Sequence, residues 1–213
     1  MKRVLVVHMS YHTPAHRRTL RTVREVLKKK GIEYCFVHRA RINPDHVRGC
    51  DLIIVIGGDG TFLRTSHFVE GKTPLLGVNS DPSKKEGFFL RTYAETFQKR
   101  LEKILAGKEK PTKLARVKAF IDNKRVEELA LNEFFFGARK SYRMALYRIK
   151  VGNKEEQHKS SGVIVAAPAG SHAWALSAGG KRVPLTSGRT QYLVRELYRG
   201  KLTGHEIKHG FLK

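Results

Sequence analysis

The first half of the chain alternates apolar runs with amphipathic stretches. Four runs have the length and the apolar content of buried strands, and they are RVLVVH (3–8), EYCFVH (33–38), DLIIVI (51–56) and PLLGVN (74–79). Residues 14–30, between the first two runs, place leucine and valine at helical spacing and stop at Gly31. The pattern therefore predicts a strand, a helix and a second strand in succession.

A further helix is predicted within RTYAETFQKRLEKILAGK (91–108). Its apolar residues fall on one face, Thr92 and Glu95 have the spacing of a capping box, and Gly107 marks its end. Strands that alternate with helices form parallel sheets that are covered on both faces. We therefore predict an α/β domain with a Rossmann-like parallel sheet over residues 1–110.

After Pro111 the pattern changes to alternating segments with no helix between them. These segments flank two turns, at 123–124 and 152–154, and they are LARVKAFID (114–122), RVEELALNEFFFGA (125–138), RMALYRIKV (143–151) and EEQHKSSGVIVAAP (155–168). Strands joined by short turns of this kind pair as antiparallel hairpins. We therefore predict a second, mostly antiparallel β domain over residues 111–213.

Composition places this α/β and β-rich chain among soluble globular proteins. Its 213 residues are 40% hydrophobic, which is enough for a sizeable core. No apolar run is long enough to span a bilayer, and we interpret the start, MKRVLVVHMS, as a strand and not as a secretion signal. Cys35 and Cys50 show no metal-ligand spacing, so we expect two reduced thiols and a cytoplasmic location.

The charge is the unusual feature of the composition. There are 42 lysines and arginines against 19 acidic residues, which gives a net charge of +23. Such a field attracts polyanions, namely nucleic acid, anionic membranes or phosphorylated small molecules. The basic residues are spread along the chain, so a well-solvated basic surface is the alternative. The chain has no signature of the common nucleic-acid-binding modules, and we expect neither nucleic acid nor a membrane as a partner.

The third apolar run ends in Gly57-Gly58-Asp59-Gly60-Thr61. Ligands of open α/β sheets bind at the carboxyl ends of the strands, and glycine lets the backbone approach a phosphate closely. A carboxylate there can hold Mg²⁺ or take a proton from an attacking hydroxyl. The structural alternative is a tight turn in which Asp59 caps a helix. The turn is neither a Walker loop nor a dinucleotide-binding fingerprint.

The Gly-Gly-Asp-Gly-Thr turn resembles the phosphate-binding turn that NAD kinases share with diacylglycerol and sphingosine kinases. Three later segments resemble NAD kinases alone, and they are LLGVNSDPSKKEGFF (75–89), ALNEFFFG (130–137) and KSSGVIVAAPAGSHAWALSAGG (159–180). The amino-acid sequences of these segments are most similar to those of the mitochondrial-type branch of that family. The resemblance also implies an α/β domain followed by a β-rich domain.

This resemblance implies Mg²⁺-dependent transfer of a phosphoryl group from ATP or polyphosphate to the adenosine ribose 2′-hydroxyl of NAD, giving NADP. Asp59 would be the catalytic carboxylate, acting as the base or through Mg²⁺ or another divalent metal. Homodimers or homotetramers are also implied. Two alternatives stay open, namely a lipid or sugar kinase on the same scaffold and a non-catalytic regulator that binds NAD(P).

The resemblance also implies which residues contact the nucleotides. They are Gly57, Gly58, Gly60, Thr61, Asn79, Asn132, Glu133, Arg143, Lys159, Ser161, Ser171, His172, Ala173 and Ser177. Asn79 has the alternative of starting a turn, and Asn132 and Glu133 that of a bulge or a strand end. Arg143 and Lys159 have the alternative of lying on a solvated sheet face. For Trp174 we expect packing in the core beneath its loop in preference to stacking on a base.

Several positions depart from the family pattern. Ser161 stands where most members have Asp, and Ala169 and His172 replace two threonines. Residues 181–213 do not clearly match the terminal strands of the family. We therefore expect the β-rich domain to be trimmed at its carboxyl end or the sequence to be a fragment, which bears on both activity and oligomer contacts.

Overall fold

A computed structural model describes residues 1, 3–10, 13–200 and 204–212 and divides the chain into two compact units. The first unit comprises Met1–Pro111 and the second comprises Thr112–Lys213. Each unit has its own sheets and its own buried apolar cluster.

The first unit contains a four-stranded parallel sheet. Its strands are β1 (Arg3–His8), β2 (Glu33–His38), β3 (Leu52–Gly57) and β4 (Leu75–Asn79), in the order β2-β1-β3-β4. All six residues of β3 are buried, as expected for an inner strand that is covered on both faces. The predicted parallel α/β domain is thus confirmed.

Four helices accompany this sheet, and they are α1 (Pro14–Lys29), α2 (Pro44–Val47), α3 (Asp59–His67) and α4 (Ala94–Leu105). Helix α1 begins after Thr13, whose hydroxyl accepts a hydrogen bond from the backbone N–H of His16 at 3.2 Å. Leu27 from α1 and Phe97 from α4 pack in one core with strand residues such as Ile54. Helix α3 lies against β1 and β3.

The predicted capping box of α4 is wrong by one residue. The residue that precedes the helix is Tyr93, and its backbone N–H donates to the Thr96 hydroxyl at 3.0 Å. Thr92 cannot cap the helix because its backbone extends the sheet, where its carbonyl accepts from the Asn79 N–H at 2.8 Å. Sheet pairing therefore sets the start of α4.

The second unit is built mostly from antiparallel strands. They are β5 (Phe120–Ile121), β6 (Lys124–Arg125), β7 (Glu133–Gly137), β8 (Ala145–Val151), β9 (Lys154–Ser160), β10 (Gly162–Ala166), β11 (Thr190–Arg195) and β12 (His209–Leu212). A four-stranded sheet has the order β12-β11-β10-β7, and β5-β6 and β8-β9 are separate hairpins. The one-turn helix α5 (Trp174–Ser177) follows a 3-10 turn at Gly170–His172.

Both predicted hairpin turns are present, but the first lies at 122–123, one residue earlier than predicted, because Lys124 already belongs to β6. Asp122 and Asn123 have φ angles of 50° and 62°, which is the geometry that a two-residue hairpin turn needs. The first hairpin is shorter than predicted, because β7 pairs with β10 and not with β5. Within the described ranges, no helix is long and apolar enough to cross a membrane.

Candidate functional site

The Gly-Gly-Asp-Gly-Thr turn joins the carboxyl end of β3 to the start of α3, as predicted. Asp59 is the first residue of the helix, and its two carboxylate oxygens accept hydrogen bonds from the backbone N–H groups of Phe88 and Phe89 at 3.0 and 2.9 Å. Each carboxylate oxygen can accept further hydrogen bonds or contact a metal. The two amide contacts therefore orient the Asp59 carboxylate, and its oxygens can still accept hydrogen bonds from a substrate.

The glycine at the end of β3 is required by its contact with Thr61. A Cβ atom on Gly57 would lie 2.8 Å from the Thr61 hydroxyl oxygen, closer than such atoms approach. Thr61 is buried, and its hydroxyl oxygen lies 3.5 Å from an Arg39 guanidinium nitrogen. Gly60, in contrast, is exposed and faces open space, so a ligand can approach the backbone there.

Two arginines lie beside this turn. Arg39, Ala40, Gly60 and Arg64 line an open cavity of about 340 Å³. The Arg64 Nε donates to the Arg39 main-chain carbonyl at 2.7 Å, so the Arg64 side chain is held against residue 39. Neither guanidinium forms a salt bridge with any residue in the described part of the chain. This cavity thus offers uncompensated positive charge next to the glycine turn.

Lys85 is a candidate residue that sequence reasoning missed. Its aliphatic stem lies 3.2 Å from where a Cβ on Gly58 would be. Its Nζ donates to the Ser80 hydroxyl at 2.8 Å, and that hydroxyl donates to the Gly57 carbonyl at 3.4 Å. Burial lowers the pKa of the Lys85 ammonium. The basic pair in NSDPSKKEG was a signal, but only the folded turn shows which lysine faces the glycines.

Asn79 organises the loop that carries Lys85. Its side chain is 2% exposed, its Nδ2 donates to the Lys85 carbonyl at 3.0 Å, and its Oδ1 accepts from the Asp81 N–H at 3.1 Å. These contacts match the turn-forming alternative that the sequence left open. Direct contact between Asn79 and a nucleotide stays a prediction.

In the second unit, the predicted Asn-Glu pair lies against the predicted glycine-rich loop. The Asn132 carbonyl accepts from the Ala167 N–H at 2.7 Å, and Glu133 begins β7. A Cβ on Gly170 would overlap that same Asn132 carbonyl, so only glycine allows this approach. Two motifs that are separated by 21 residues in the sequence, 130–137 and 159–180, are thus brought together.

Asn132 and Glu133 each present a buried polar atom with unused capacity. The Asn132 Oδ1 and the Glu133 Oε2 are inaccessible to solvent and have no hydrogen-bond partner among the residues that the structure describes. Burial raises the pKa of the Glu133 carboxyl. Buried polar atoms without partners are uncommon in folded proteins, and a ligand that donates hydrogen bonds would satisfy both.

Ser171 and His172 anchor the glycine-rich loop. The Ser171 hydroxyl is fully buried, donates to the Pro168 carbonyl at 2.6 Å and accepts from the Val183 N–H at 3.0 Å. The His172 Nε2 lies 3.0 Å from the Val183 carbonyl oxygen. Of the remaining predicted loop contacts, Ala173 is half-buried and Ser177 is exposed.

The expectation that Trp174 fills the core is wrong. The Trp174 side chain is 38% exposed, and its ring packs 5.1 Å from the Phe135 ring. The Arg195 guanidinium lies 5.1 Å from the centre of the Trp174 ring. Trp174 is the first residue of α5 and lies at the surface, because the residue of this helix that packs into the core is Ala175.

Three other predicted residues lie apart from this loop. Arg143 is exposed in the turn before β8, where its N–H donates to the Lys140 carbonyl at 2.9 Å. Lys159 is exposed on β9 with its Nζ 5.2 Å from the centre of the Tyr198 ring. The backbone N–H of Ser161 donates to the Arg195 carbonyl at 3.1 Å. Nucleotide contact by these three residues stays a prediction.

The sequence of the chain matches a family model described as the ATP-NAD kinase N-terminal domain over residues 4–109. A probable NADH kinase of Oryza sativa is 33% identical in an alignment 220 residues long, which covers 93% of this chain and 67% of the relative. The chain belongs to the NAD kinase family. This membership, predicted from four motifs, is therefore confirmed.

Other members of the NAD kinase family agree with this assignment. An NADH kinase of Arabidopsis thaliana is 30% identical and aligns over 85% of this chain and 64% of its own length. Human mitochondrial NAD kinase 2 is 25% identical, over 76% of this chain and 46% of its own length. The chain thus spans about two thirds of the plant relatives and less than half of the human one.

A solved structure supports the fold. The crystal structure of an NAD kinase from Archaeoglobus fulgidus in complex with ATP has a TM-score of 0.76 and 24% identity, and the match covers 99% of this chain and 76% of that one. The predicted NAD kinase-like fold is confirmed. Coverage of 99% means that the match includes described residues of the carboxyl-terminal region whose sequence departs from the family pattern.

Proposed function

We propose that the protein is an NAD kinase, which transfers the terminal phosphoryl group of ATP to the adenosine ribose 2′-hydroxyl of NAD. The observation that carries the proposal is the Asp59 carboxylate, held by two backbone N–H groups at the carboxyl end of β3 in a chain of this family. The relatives described above are all named for NAD or NADH, and none of them supports a lipid or sugar acceptor.

Asp59 has the chemistry of a general base for this transfer. Its carboxylate would accept the proton of the 2′-hydroxyl while that oxygen forms a bond to the γ-phosphorus and the bond from phosphorus to the bridging oxygen of ADP breaks. The turn holds no cysteine or serine nucleophile, so transfer is direct. The amide contacts from Phe88 and Phe89 keep the carboxylate in one orientation, which lowers the entropic cost of reaching this geometry.

The residues present fit a magnesium ion that is shared with the phosphates of ATP. Magnesium sites of this type use one or two carboxylates and complete their coordination with phosphate oxygens and water. Asp59 can supply one such contact, because each of its oxygens uses only one of its acceptor positions on a backbone amide. When bound, the metal neutralises negative charge that develops on the transferred group.

Three basic side chains around the turn favour a polyphosphate chain as the donor. Arg39 and Arg64 line the cavity beside Gly60, and Lys85 lies against Gly58. Arginine binds phosphate through paired N–H groups, and lysine binds it as a point charge. Both ATP and inorganic polyphosphate carry the required charge. A donor with more contacts to these cations would show a steeper loss of affinity with salt.

The second unit supplies groups suited to the acceptor. The buried Asn132 Oδ1 and Glu133 Oε2 can accept hydrogen bonds from ribose hydroxyls or an amide, and the adjoining loop from Ala167 to Ser177 provides small residues for close approach. A site built to bind a hydroxyl strongly rejects an analogue that lacks it. Asn132 and Glu133 therefore favour binding of the nucleoside portion of NAD.

Exposed apolar side chains on the second unit support the proposal of a homodimer or homotetramer. Phe136 is 60% exposed on β7, and its ring lies 5.6 Å from that of Tyr147 on β8. Leu146 on β8 is 69% exposed and Phe135 is 41% exposed. Exposed large apolar side chains of this kind are enriched at protein interfaces. Light scattering coupled to size-exclusion chromatography would give the oligomeric mass, and a monomer at micromolar concentration would contradict this part of the proposal.

The experiment that tests the function is NADP formation by the purified chain. NAD or NADH is incubated with Mg²⁺ and either ATP or polyphosphate, and the product is read with a dehydrogenase that accepts only the 2′-phosphorylated nucleotide. The test variant is Asp59→Asn, and the matched control is Asp45→Asn, an exposed acid in the first turn of α2. We expect a loss of about 10²–10⁴-fold for Asp59→Asn and no change for the control.

Because Asp59 also has a structural role, the assay is run below the melting temperature of both variants. A folded wild type that binds NAD but makes neither NADP nor NADPH would overturn the kinase and favour a nucleotide-binding regulator. Equal activity in wild type and Asp59→Asn would remove Asp59 from the reaction. The comparison of donors and acceptors within the same experiment identifies the substrates.

A further inference from the structure

Three metal-ligand side chains converge in the second unit, away from the loop described above. Glu156 and His158 lie two residues apart on β9, so their side chains project from the same face of the strand. His205 approaches them from the segment before β12. One ligand atom from each residue lies within 4.8 Å of the other two, namely a carboxylate oxygen and two imidazole nitrogens.

The distances within this cluster are close to those of a metal site. The Glu156 Oε2 lies 2.8 Å from the His158 Nε2 and 3.6 Å from the His205 Nδ1. In a tetrahedral zinc site, metal-ligand bonds of about 2.0–2.2 Å separate neighbouring ligand atoms by about 3.3 Å. The two carboxylate–imidazole distances are therefore within about half an ångström of that separation, and the two imidazole nitrogens lie within 4.8 Å of each other.

The carboxylate is fixed in the orientation that a ligand needs. The second oxygen of Glu156, Oε1, accepts hydrogen bonds from the backbone N–H groups of Glu206 and Ile207 at 2.8 and 3.2 Å, and the Ile207 N–H also lies 3.2 Å from Oε2. Supporting hydrogen bonds of this kind orient metal ligands and are characteristic of metal sites. They direct the Oε2 atom towards both imidazoles.

His158 is the second observation that points to a ligand. Its side chain is fully buried, and its Nδ1 has no hydrogen-bond partner among the residues that the structure describes. Its only polar contact in those residues is the one with Glu156. A buried imidazole with a single partner is poorly compensated, and a metal ion at its Nε2 would give it a strong bond.

We propose that Glu156, His158 and His205 form a zinc-binding site that joins the β8-β9 hairpin to the segment before β12. Two imidazoles and one carboxylate are a common ligand set for Zn²⁺, and hard cations such as Mg²⁺ do not prefer it. A cavity of about 480 Å³ beside His205, which Arg199 and Lys208 also line, gives access for water or an anion as the fourth ligand. In the bound state the metal would take the place of the hydrogen bond between Glu156 and His158.

This site would have a structural role. The segment that carries His205 also pairs with the main sheet of the unit, because the Val194 N–H donates to the Lys208 carbonyl at 2.7 Å. The β8-β9 hairpin has no strand partner in that sheet within the described residues. Both parts can hold the metal ion only when the second unit is folded. Zinc would therefore bind the folded state in preference to the unfolded state and should raise the melting temperature of the protein.

The test is a zinc titration of purified protein that carries no polyhistidine tag and has been stripped with a chelator. Calorimetry and metal analysis give the affinity and the stoichiometry, and cobalt in place of zinc reports tetrahedral coordination through its visible absorption. The variants are His205→Ala and Glu156→Gln. The matched control is His209→Ala, an exposed histidine four residues further along.

We expect one zinc per chain, a rise in melting temperature with zinc but not with Mg²⁺, and a loss of affinity of at least about 100-fold in either ligand variant. That loss exceeds the 10–100-fold typical of removing an outer-shell partner. The His209→Ala protein should bind like wild type. Absence of stoichiometric zinc in the wild type, or equal affinity in wild type and His205→Ala, would overturn the site and indicate adventitious binding to surface histidines. Each outcome is independent of kinase activity.

Discussion

Replacing Asp59 by Asn should lower the stability of the first unit as well as the activity. The carboxylate accepts two backbone hydrogen bonds, from Phe88 and Phe89, at 3.0 and 2.9 Å. An asparagine side chain keeps one acceptor oxygen and puts an NH₂ group, which cannot accept, in place of the other. The segment that carries Phe88 and Phe89 would therefore lose one of its two links to the start of α3.

The magnitude follows from these contacts. Loss of one acceptor costs about 1–3 kcal/mol, and exchange of a charged for a neutral acceptor in the other bond costs about 1 kcal/mol. Removal of a negative charge from the first turn of α3 adds about 0.3–1 kcal/mol. We therefore expect Asp59→Asn to lower the free energy of unfolding by about 2–5 kcal/mol, or the melting temperature by roughly 5–20 °C.

Urea denaturation and differential scanning calorimetry would measure this effect at neutral pH. The control is Asp45→Asn, which removes an exposed acid from the first turn of α2 and should change the free energy of unfolding by less than about 0.5 kcal/mol. If Asp59→Asn were as stable as Asp45→Asn, the two amide contacts would not anchor the carboxylate. The account of Asp59 as a pre-oriented base would then be refuted.

Three further variants test the site. Glu133→Gln should be more stable than wild type by about 0.5–1 kcal/mol above pH 7, a small gain because the carboxyl is only half-buried. The gain should vanish below about pH 4.5, where Glu133 is protonated in both the folded and the unfolded protein. Exposed Glu128→Gln is the control, and a gain that persists at low pH would contradict the burial argument. Gly170→Ala should cost about 1–3 kcal/mol in thermal melts, because its Cβ overlaps the Asn132 carbonyl, whereas Gly188→Ala has open space and should be neutral. Lys85→Met should raise the KM for the donor and flatten its dependence on salt, while the neighbouring Lys84→Met should not, and equal effects of the two in steady-state kinetics would remove Lys85 from the site.

The parts of the fold that depend on local pattern could be predicted from the sequence. The four apolar runs of the first half correspond to β1 to β4, because strands that are buried on both faces consist mostly of consecutive apolar residues. The glycine turn was found because its residues are adjacent in the sequence. The start of α4 was missed by one residue because sheet pairing at Thr92 overrides the capping pattern.

The parts of the site that depend on tertiary contacts could not be predicted. Lys85 reaches the turn through the loop that Asn79 organises, and nothing in the sequence separates it from Lys84. Trp174 was expected in the core, but a helix of one turn places it at the surface. The Glu156 and His205 side chains are 49 residues apart, so no spacing rule would have joined them.

The most direct test of the central claim is the identity of the hydroxyl that receives the phosphoryl group. The purified chain is incubated with Mg²⁺, radiolabelled ATP and either NAD or an NAD analogue that lacks the adenosine ribose 2′-hydroxyl, and the labelled products are separated by chromatography. We expect one product from NAD that migrates with NADP and none from the analogue. A labelled product from the analogue, or label transferred only to water, would contradict the assignment of this chain as an NAD kinase that acts through Asp59.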